Sequence, residues 1–407
     1  MKVSGVRRVV AMGASLFALG ICCGPAWARW KAQGARDVPK AHAADAGAEV
    51  TVTTVAQGLD NPRGLTFGTS GELFVAEAGN GAEPGSKECV PSGPEGNPEE
   101  QTCVGFTSGV SMIDRRGVHK VIGGLVSLAE PDGSFATGVS GVAYSMWGLQ
   151  ALEQESAEGV PPAASEYLSA ATLAKGKEQL GRLFQVRSGR YRVIADVGDF
   201  DSRWALEHKS LVPEQFPDAD PYAALGSAEG TWIIDAASNT LDRVSPFGRV
   251  SVTTFFPSPP VSDAVPTCIA RGADGAFYVS QLVGVFNPAG IGVVWRVVPG
   301  HEPEVWARGL TSVTGCGFGP EGQFYAVEFS NKPLLEAAPG TGEVVRVPPH
   351  STSPIAVVEN LSFPGGFAAN RRTRSLYVSN WSVAPSGGAL GATGEVLQIS
   401  LGTSGHG

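Results

Sequence analysis

Gly58-Leu59-Asp60-Asn61-Pro62-Arg63-Gly64-Leu65-Thr66-Phe67-Gly68, followed by Gly71-Glu72-Leu73-Phe74-Val75-Ala76-Glu77, is the stretch that decides the fold. It reads as a turn, an apolar run, a glycine turn and a second apolar run, which is the pattern of two antiparallel strands. The pattern returns at Pro266-Thr267-Cys268-Ile269 with Phe277-Tyr278-Val279-Ser280, and at Gly315-Cys316-Gly317-Phe318 with Phe324-Tyr325-Ala326-Val327-Glu328. It returns again at Pro364-Gly365-Gly366-Phe367 with Leu376-Tyr377-Val378-Ser379-Asn380. Degenerate copies begin at Val139 and Pro221, so the six anchors are residues 62, 139, 221, 266, 313 and 364. Three of the five spacings are 45, 47 and 51 residues, the span of a four-stranded propeller blade. The other two, 77 and 82, are blades with insertions.

The register predicts an all-β, six-bladed propeller over residues 50–401. In the first copy the strands fall at Gly64–Phe67, Glu72–Ala76, Val110–Ile113 and Lys120–Ile122. The last copy has only three strands, near Phe367, at Leu376–Ser379 and at Glu395–Ile399. Thr51–Val55 precedes the first copy where an outer strand belongs, so the N-terminal strand is expected to complete the last blade and remove an open edge. The insertions at 79–107, 150–179 and 199–219 interrupt the repeat. The second holds a helix candidate at Pro162–Lys175, ended by Gly176; the third reads as a polar loop.

Composition agrees. Gly (54) and Pro (29) make about a fifth of the 407 residues without a collagen period, which fits short strands and tight turns and argues against a helix bundle. At 43% apolar and 17% charged, the chain is not of the disordered class. A net charge of −9 argues against a nucleic-acid partner. Lys2, Arg7 and Arg8, the apolar run Val9–Cys23 and the small-x-small site Ala26-Trp27-Ala28 read as a cleaved bacterial-type signal peptide over residues 1–28. Its removal would take three cations and no acid, making the chain more negative. Residues 29–49 read as a flexible tether and 402–407 as a tail. No other stretch is apolar enough to span a bilayer. The expected product is a secreted, extracytoplasmic monomer.

Four cysteines follow the signal: Cys89, Cys103, Cys268 and Cys316. An even number in an exported chain points to disulfides. Cys89 and Cys103 share one loop, where a bridge would contribute ~3 kcal/mol; two free thiols are the alternative. Cys268 aligns with Gly64 and Cys316 with Leu65, one position apart on neighbouring inner strands, hence on faces that meet. They are expected to approach, as a bridge or as two buried thiols, since facing sheets stand ~10 Å apart and a bridge reaches about 7 Å.

The run Gly58 to Gly79 resembles the ScyD/ScyE family of secreted proteins. The resemblance continues through Cys89…Cys103, Asp220-Pro221-Tyr222, Val265-Pro266-Thr267, Gln281-Leu282-Val283-Gly284 and Asn380-Trp381, in the same order over residues 50–400. It implies an exported NHL-like six-bladed propeller and no particular chemistry. The unit is more remotely similar to blades of quinoprotein sugar dehydrogenases and gluconolactonase-type hydrolases.

The chain has no G-x-S-x-G, H-E-x-x-H, C-x-x-C or P-loop motif. The six histidines fall in tails and turns, His208 alone lying in a candidate functional loop. The glycines of Gly315-Cys316-Gly317-Phe318-Gly319 read as spacers that let inner strands crowd the axis. Superposing the repeats gives one oxygen-rich column at the end of the second strand: Glu77, Asp235, Gln281, Glu328 and Asn380, with Met146-Trp147 near the corresponding place in the second copy. Five such side chains in a ring could hold Ca2+, which takes six to eight oxygens, as a structural or catalytic ion. The alternative is that they bond strand-end backbone N–H groups. Asp196, Asp199 and Asp201 read as solvated loop charge. Trp147 and Trp204 are candidates for a ligand mouth. The leading expectation is a binding or scaffold protein for a small-molecule or protein ligand. A calcium-assisted lactonase- or esterase-like hydrolase and a quinoprotein-like oxidoreductase are the alternatives.

Overall fold

The computed structural model describes residues 38–42, 50–83, 86, 88–92, 101–213, 215–257, 263–284, 287–388 and 390–402. The expected signal peptide, the residues of the tether other than 38–42, and residues 403–407 of the tail lie outside these.

Six antiparallel sheets follow one another along the chain. From inner to outer strand, the first blade is Pro62–Phe67, Leu73–Glu77, Gln101–Asp114 and Gly117–Ala129. The second is Val139–Ser145, Gly148–Glu153, Arg182–Arg187 and Arg190–Asp196. The third is Pro221–Ser227, Gly230–Asp235, Thr240–Val244 and Val250–Phe255. The fourth is Pro266–Arg271, Phe277–Gln281, Gly292–Val297 and Glu304–Leu310. The fifth is Val313–Phe318, Phe324–Glu328, Gly342–Val347 and Ile355–Leu361. The sixth is Phe367–Asn370, Ser375–Asn380 and Gly394–Leu401, with Val50–Leu59 as its outer strand.

The six-bladed expectation therefore holds, and so does the closure. Val50–Leu59 pairs with Gly394–Leu401 from Val50↔Leu401 to Leu59↔Gly394. Lys40–Ala41 adds a short edge strand to the fifth blade, opposite Glu359 and Val358. The core consists of apolar clusters between neighbouring blades, such as Trp232, Ile269, Phe277 and Trp295 between the third and fourth.

Near the axis the blades crowd, as the glycine pattern predicts. A Cβ on Gly64 would lie 2.7 Å from the Ser140 carbonyl oxygen, and one on Gly315 2.5 Å from that of Gly365. The same convergence decides the cysteines. Cys268 and Cys316 are bridged with Cα atoms 5.6 Å apart, because inner strands at the axis stand closer than packed sheets elsewhere. Cys89 and Cys103, directly opposed in a hairpin, form the second bridge.

Two insertions differ from expectation. The helix candidate splits into a short turn at Pro162–Glu166 and a helix α1, Ala170–Gln179. The Ser169 hydroxyl caps α1 by accepting from Thr172 N–H at 3.2 Å, so the helix starts later. Gly176 lies inside it, and Gly181, at φ +69°, is the glycine that follows its end. The polar loop contains a helix α2, Gly198–Glu207. Its buried side is Asp201, Ser202 and Ala205, so apolar periodicity does not reveal it. Among the described residues, no helix is long and apolar enough to cross a membrane.

Candidate functional site

The inner strands surround an axial cavity of about 340 Å³. Its two ends differ. Every inner strand starts on the face that carries the long loops and runs to the face of the tight hairpins. Near their starts the wall residues Arg63, Ser140, Thr267 and Thr314 are buried; at their far ends Phe67, Tyr144 and Phe318 are half-buried, and Arg271 and Arg371 are exposed. Over the loop face lies one apolar cluster that includes Phe135, Val265, Phe329, Phe363 and Val383, against which Tyr222 packs. Backbone bonds knit this cover, Phe135 N–H donating to the Val383 carbonyl at 3.0 Å and Asn61 N–H to that of Ala384 at 2.9 Å. The channel is thus blind at the loop face and open at the hairpin face.

The charge of the wall is one-sided. Among the described residues, its ionisable side chains with formal charge are Arg63, Arg271 and Arg371, and no Asp, Glu, Lys or His lines it. The second position of each inner strand explains how one of these reaches the blind end. In register this column holds Arg63, Ser140, Tyr222, Thr267, Thr314 and Gly365. The hydroxyls of Ser140, Thr267 and Thr314 donate to carbonyls of the next inner strand, at 3.2, 2.5 and 2.9 Å. Arg63, Tyr222 and Gly365 depart from this column. Arg63 donates through Nη2 to the Ala136 carbonyl at 2.6 Å, while its Nε–H has no acceptor among the described residues. Burial pulls the Arg63 guanidinium down and pushes the Tyr222 hydroxyl up from their ordinary values. This column, with Arg63, Tyr222 and Gly365 as its three exceptions, could have been read from the sequence and was missed.

The oxygen column at the second-strand ends is buried under the loop face, and none of its members lines the cavity. Each is held within its own blade. Glu77 accepts Asp60 N–H at 2.9 Å and Lys120 Nζ at 2.7 Å, and also bonds Ser111. Glu328 accepts Thr311 N–H at 2.9 Å, and Asn380 accepts Ser362 N–H at 2.8 Å. Asp235 Oδ1 accepts the N–H groups of Asp220, Ala237 and Ser238. Gln281 accepts Trp295 Nε1 at 2.7 Å. The turns latched by Glu77, Glu328 and Asn380 carry left-handed residues before the inner strands, Asn61, Ser312 and Phe363, at φ +50°, +44° and +48°; Val265, at φ +45°, donates its N–H to Asn239 Oδ1 at 2.8 Å instead. The column's place in the second blade is Glu153, paired with Val139, not the neighbourhood of Met146-Trp147. Burial pushes its carboxyl well above the usual range.

Asp201 is fully buried, not solvated. Its carboxyl lies beside those of Asp235 and Asp242, and burial raises all three. Asp220, beside this group, is pushed up to about 7 by burial and by the charge of Asp235. Asp199, in contrast, pairs with Arg182 at 3.4 Å. Trp147 lies in a hairpin turn on the open face, its Nε1 donating to the Ala228 carbonyl at 3.2 Å, and does not line the cavity. Trp204 stacks on His208 at 4.2 Å on α2, away from the channel.

Solved structures of known proteins resemble the chain at low identity. A gluconolactonase from Xanthomonas campestris is 11% identical, with 90% of this chain and 95% of that one covered at a TM-score of 0.49. The PQQ-bound aldose sugar dehydrogenase from Streptomyces coelicolor is 13% identical, with 89% and 100% covered and a TM-score of 0.47. Virginiamycin B lyase from Staphylococcus aureus is 11% identical, with 87% and 100% covered and a TM-score of 0.42. At these identities and TM-scores the likeness carries no argument about chemistry or fold. No family model and no curated protein matches the chain.

Proposed function

We propose that this protein is an exported binding propeller that takes a small anionic molecule with an apolar body into its axial channel through the hairpin face. The observation that carries this reading is the wall: among the described residues it has three arginines and no acidic side chain, in a chain of net charge −9. A concave site with low-dielectric walls of one sign concentrates the opposite charge. The volume suits a metabolite-sized ligand, and Phe67, Tyr144 and Phe318 at the open end offer apolar contact. The proposal includes the ScyD/ScyE-type relationship, export and a monomeric state; two disulfides fit an oxidising compartment. The hydrolase reading draws no support from the oxygen column, whose members face their own blades and not the channel.

The test is calorimetric titration with size-matched anionic and neutral small molecules. Anionic members should bind, and Arg271→Gln and Arg371→Gln should each weaken them, by the loss of one cation from the field of the wall, and leave neutral members unchanged. Equal binding of neutral and anionic members, unaffected by both substitutions, would refute the reading.

A further inference from the structure

The blind end of the channel carries a built polar site that the charge of the wall alone does not require. Arg63 is 4% exposed and forms part of the wall, yet its Nε–H meets no acceptor among the described residues. A buried donor left unbonded costs more than a made bond returns, so such a group marks a place where a ligand atom belongs. Its orientation is fixed from the other side, by the Nη2 bond to the Ala136 carbonyl. Tyr222 lies across the same end of the cavity, near enough for the Arg63 charge to act on its hydroxyl. Arg63, Tyr222 and Gly365 stand where small hydroxyls elsewhere in the column tie one blade to the next. Of these three departures from the repeat, Arg63 and Tyr222 carry polar side chains, and both line the same cavity.

We infer that Arg63 and Tyr222 form an anchor for a monoanionic carboxylate, so that the ligand lies acid-end first in the blind end with its apolar body toward the hairpin face. This rests on the channel reading above and adds the orientation and the class of anion. The anchor has a single cation, Arg271 and Arg371 standing at the opposite end of the inner strands. One positive charge suits a single negative charge and disfavours a dianion such as phosphate.

Phenylacetate, its neutral counterpart phenylacetamide and inorganic phosphate are the probes, titrated into the full-length protein and into Arg63→Met, Tyr222→Phe and Arg371→Gln. Wild type should bind phenylacetate at least about tenfold more tightly than phenylacetamide and more tightly than phosphate. Arg63→Met should abolish the preference for acid over amide. Tyr222→Phe, which removes one oxygen and keeps the ring, should reduce that preference with little change in melting temperature, so the inference stays testable if Arg63→Met does not fold. Arg371→Gln should weaken binding and keep the preference. If Arg371→Gln removes the preference while Tyr222→Phe and Arg63→Met keep it, the anion sits at the open end and the anchor is refuted, the channel reading surviving. Tighter binding of phosphate than of phenylacetate also refutes it. If wild type binds none of the three, both readings fall together, which separates that failure from the first.

Discussion

At the scale of single residues, the side chain at the end of each second strand does a structural job. Glu77 shows it best, since one of its oxygens holds the Asp60 amide and the other holds Lys120. The amide bond fixes the turn through Asn61, whose left-handed backbone is uncommon for residues other than glycine. Lys120 is half-exposed, so its pairing contributes little. Glu77→Gln keeps an acceptor for the amide and should cost under about 1 kcal/mol. Glu77→Ala leaves the amide unbonded and should cost about 1–3 kcal/mol. Urea melts of the two variants check this; equal losses would show that the latch does not matter. The column was legible in the sequence as five aligned oxygens, but its role was not, because an acceptor for a backbone amide and a ligand for a cation have the same composition. Glu153 escaped the alignment because the second copy is degenerate in sequence while its strand pairing is regular.

At the scale of elements, α2 lies on the third blade through a contact between acids. Asp201 meets Asp235 and Asp242, both oxygens of Asp201 find no donor, and Arg182 and Arg203 are engaged by Asp196, Asp199 and Glu158 instead. Burial raises these carboxyls in the folded state. The folded chain then holds protons that the unfolded chain has released, so stability is greatest below the ordinary carboxylate range near 4 and falls as pH rises toward the folded values. Asp201→Asn removes one titrating group and supplies a donor. The melting temperature of wild type should fall between pH 5 and pH 8.5, and the variant should fall less and exceed wild type at pH 8.5. Parallel profiles would refute the shared-proton contact. This element was illegible in the sequence because a helix that buries aspartate and serine has no apolar stripe. The strands, in contrast, were legible from alternating apolar runs between glycines, and the limits differed mainly in the first blade, where Gln101–Asp114 extends into the disulfide-bearing insertion.

At the scale of the whole molecule, closure depends on one strand from the other end of the chain. Val50–Leu59 bonds along the full length of Gly394–Leu401, burying Val50, Ala56 and Leu59. Deleting residues 50–57 leaves the sixth blade with an exposed edge, which invites pairing between copies. Light scattering coupled to size exclusion should show aggregates or oligomers, with a lowered melting temperature. A monomer of unchanged melting temperature would refute the dependence. The ring was legible from six anchors and a missing last strand. The sealed loop face was not, because the cover joins Phe135, Val265, Phe329 and Phe363, residues that are far apart in sequence and that no local pattern unites.

That seal has a consequence for what the channel can admit. A pore open at both ends lets the middle of a polymer pass; a cup does not. Whatever enters this propeller must present a terminus, must fit within the depth of the cup, and must leave by the route it took. Two guests cannot queue or pass one another, so occupancy by one molecule is exclusion of every other. Such a cup can admit a free end and cannot ride along a chain.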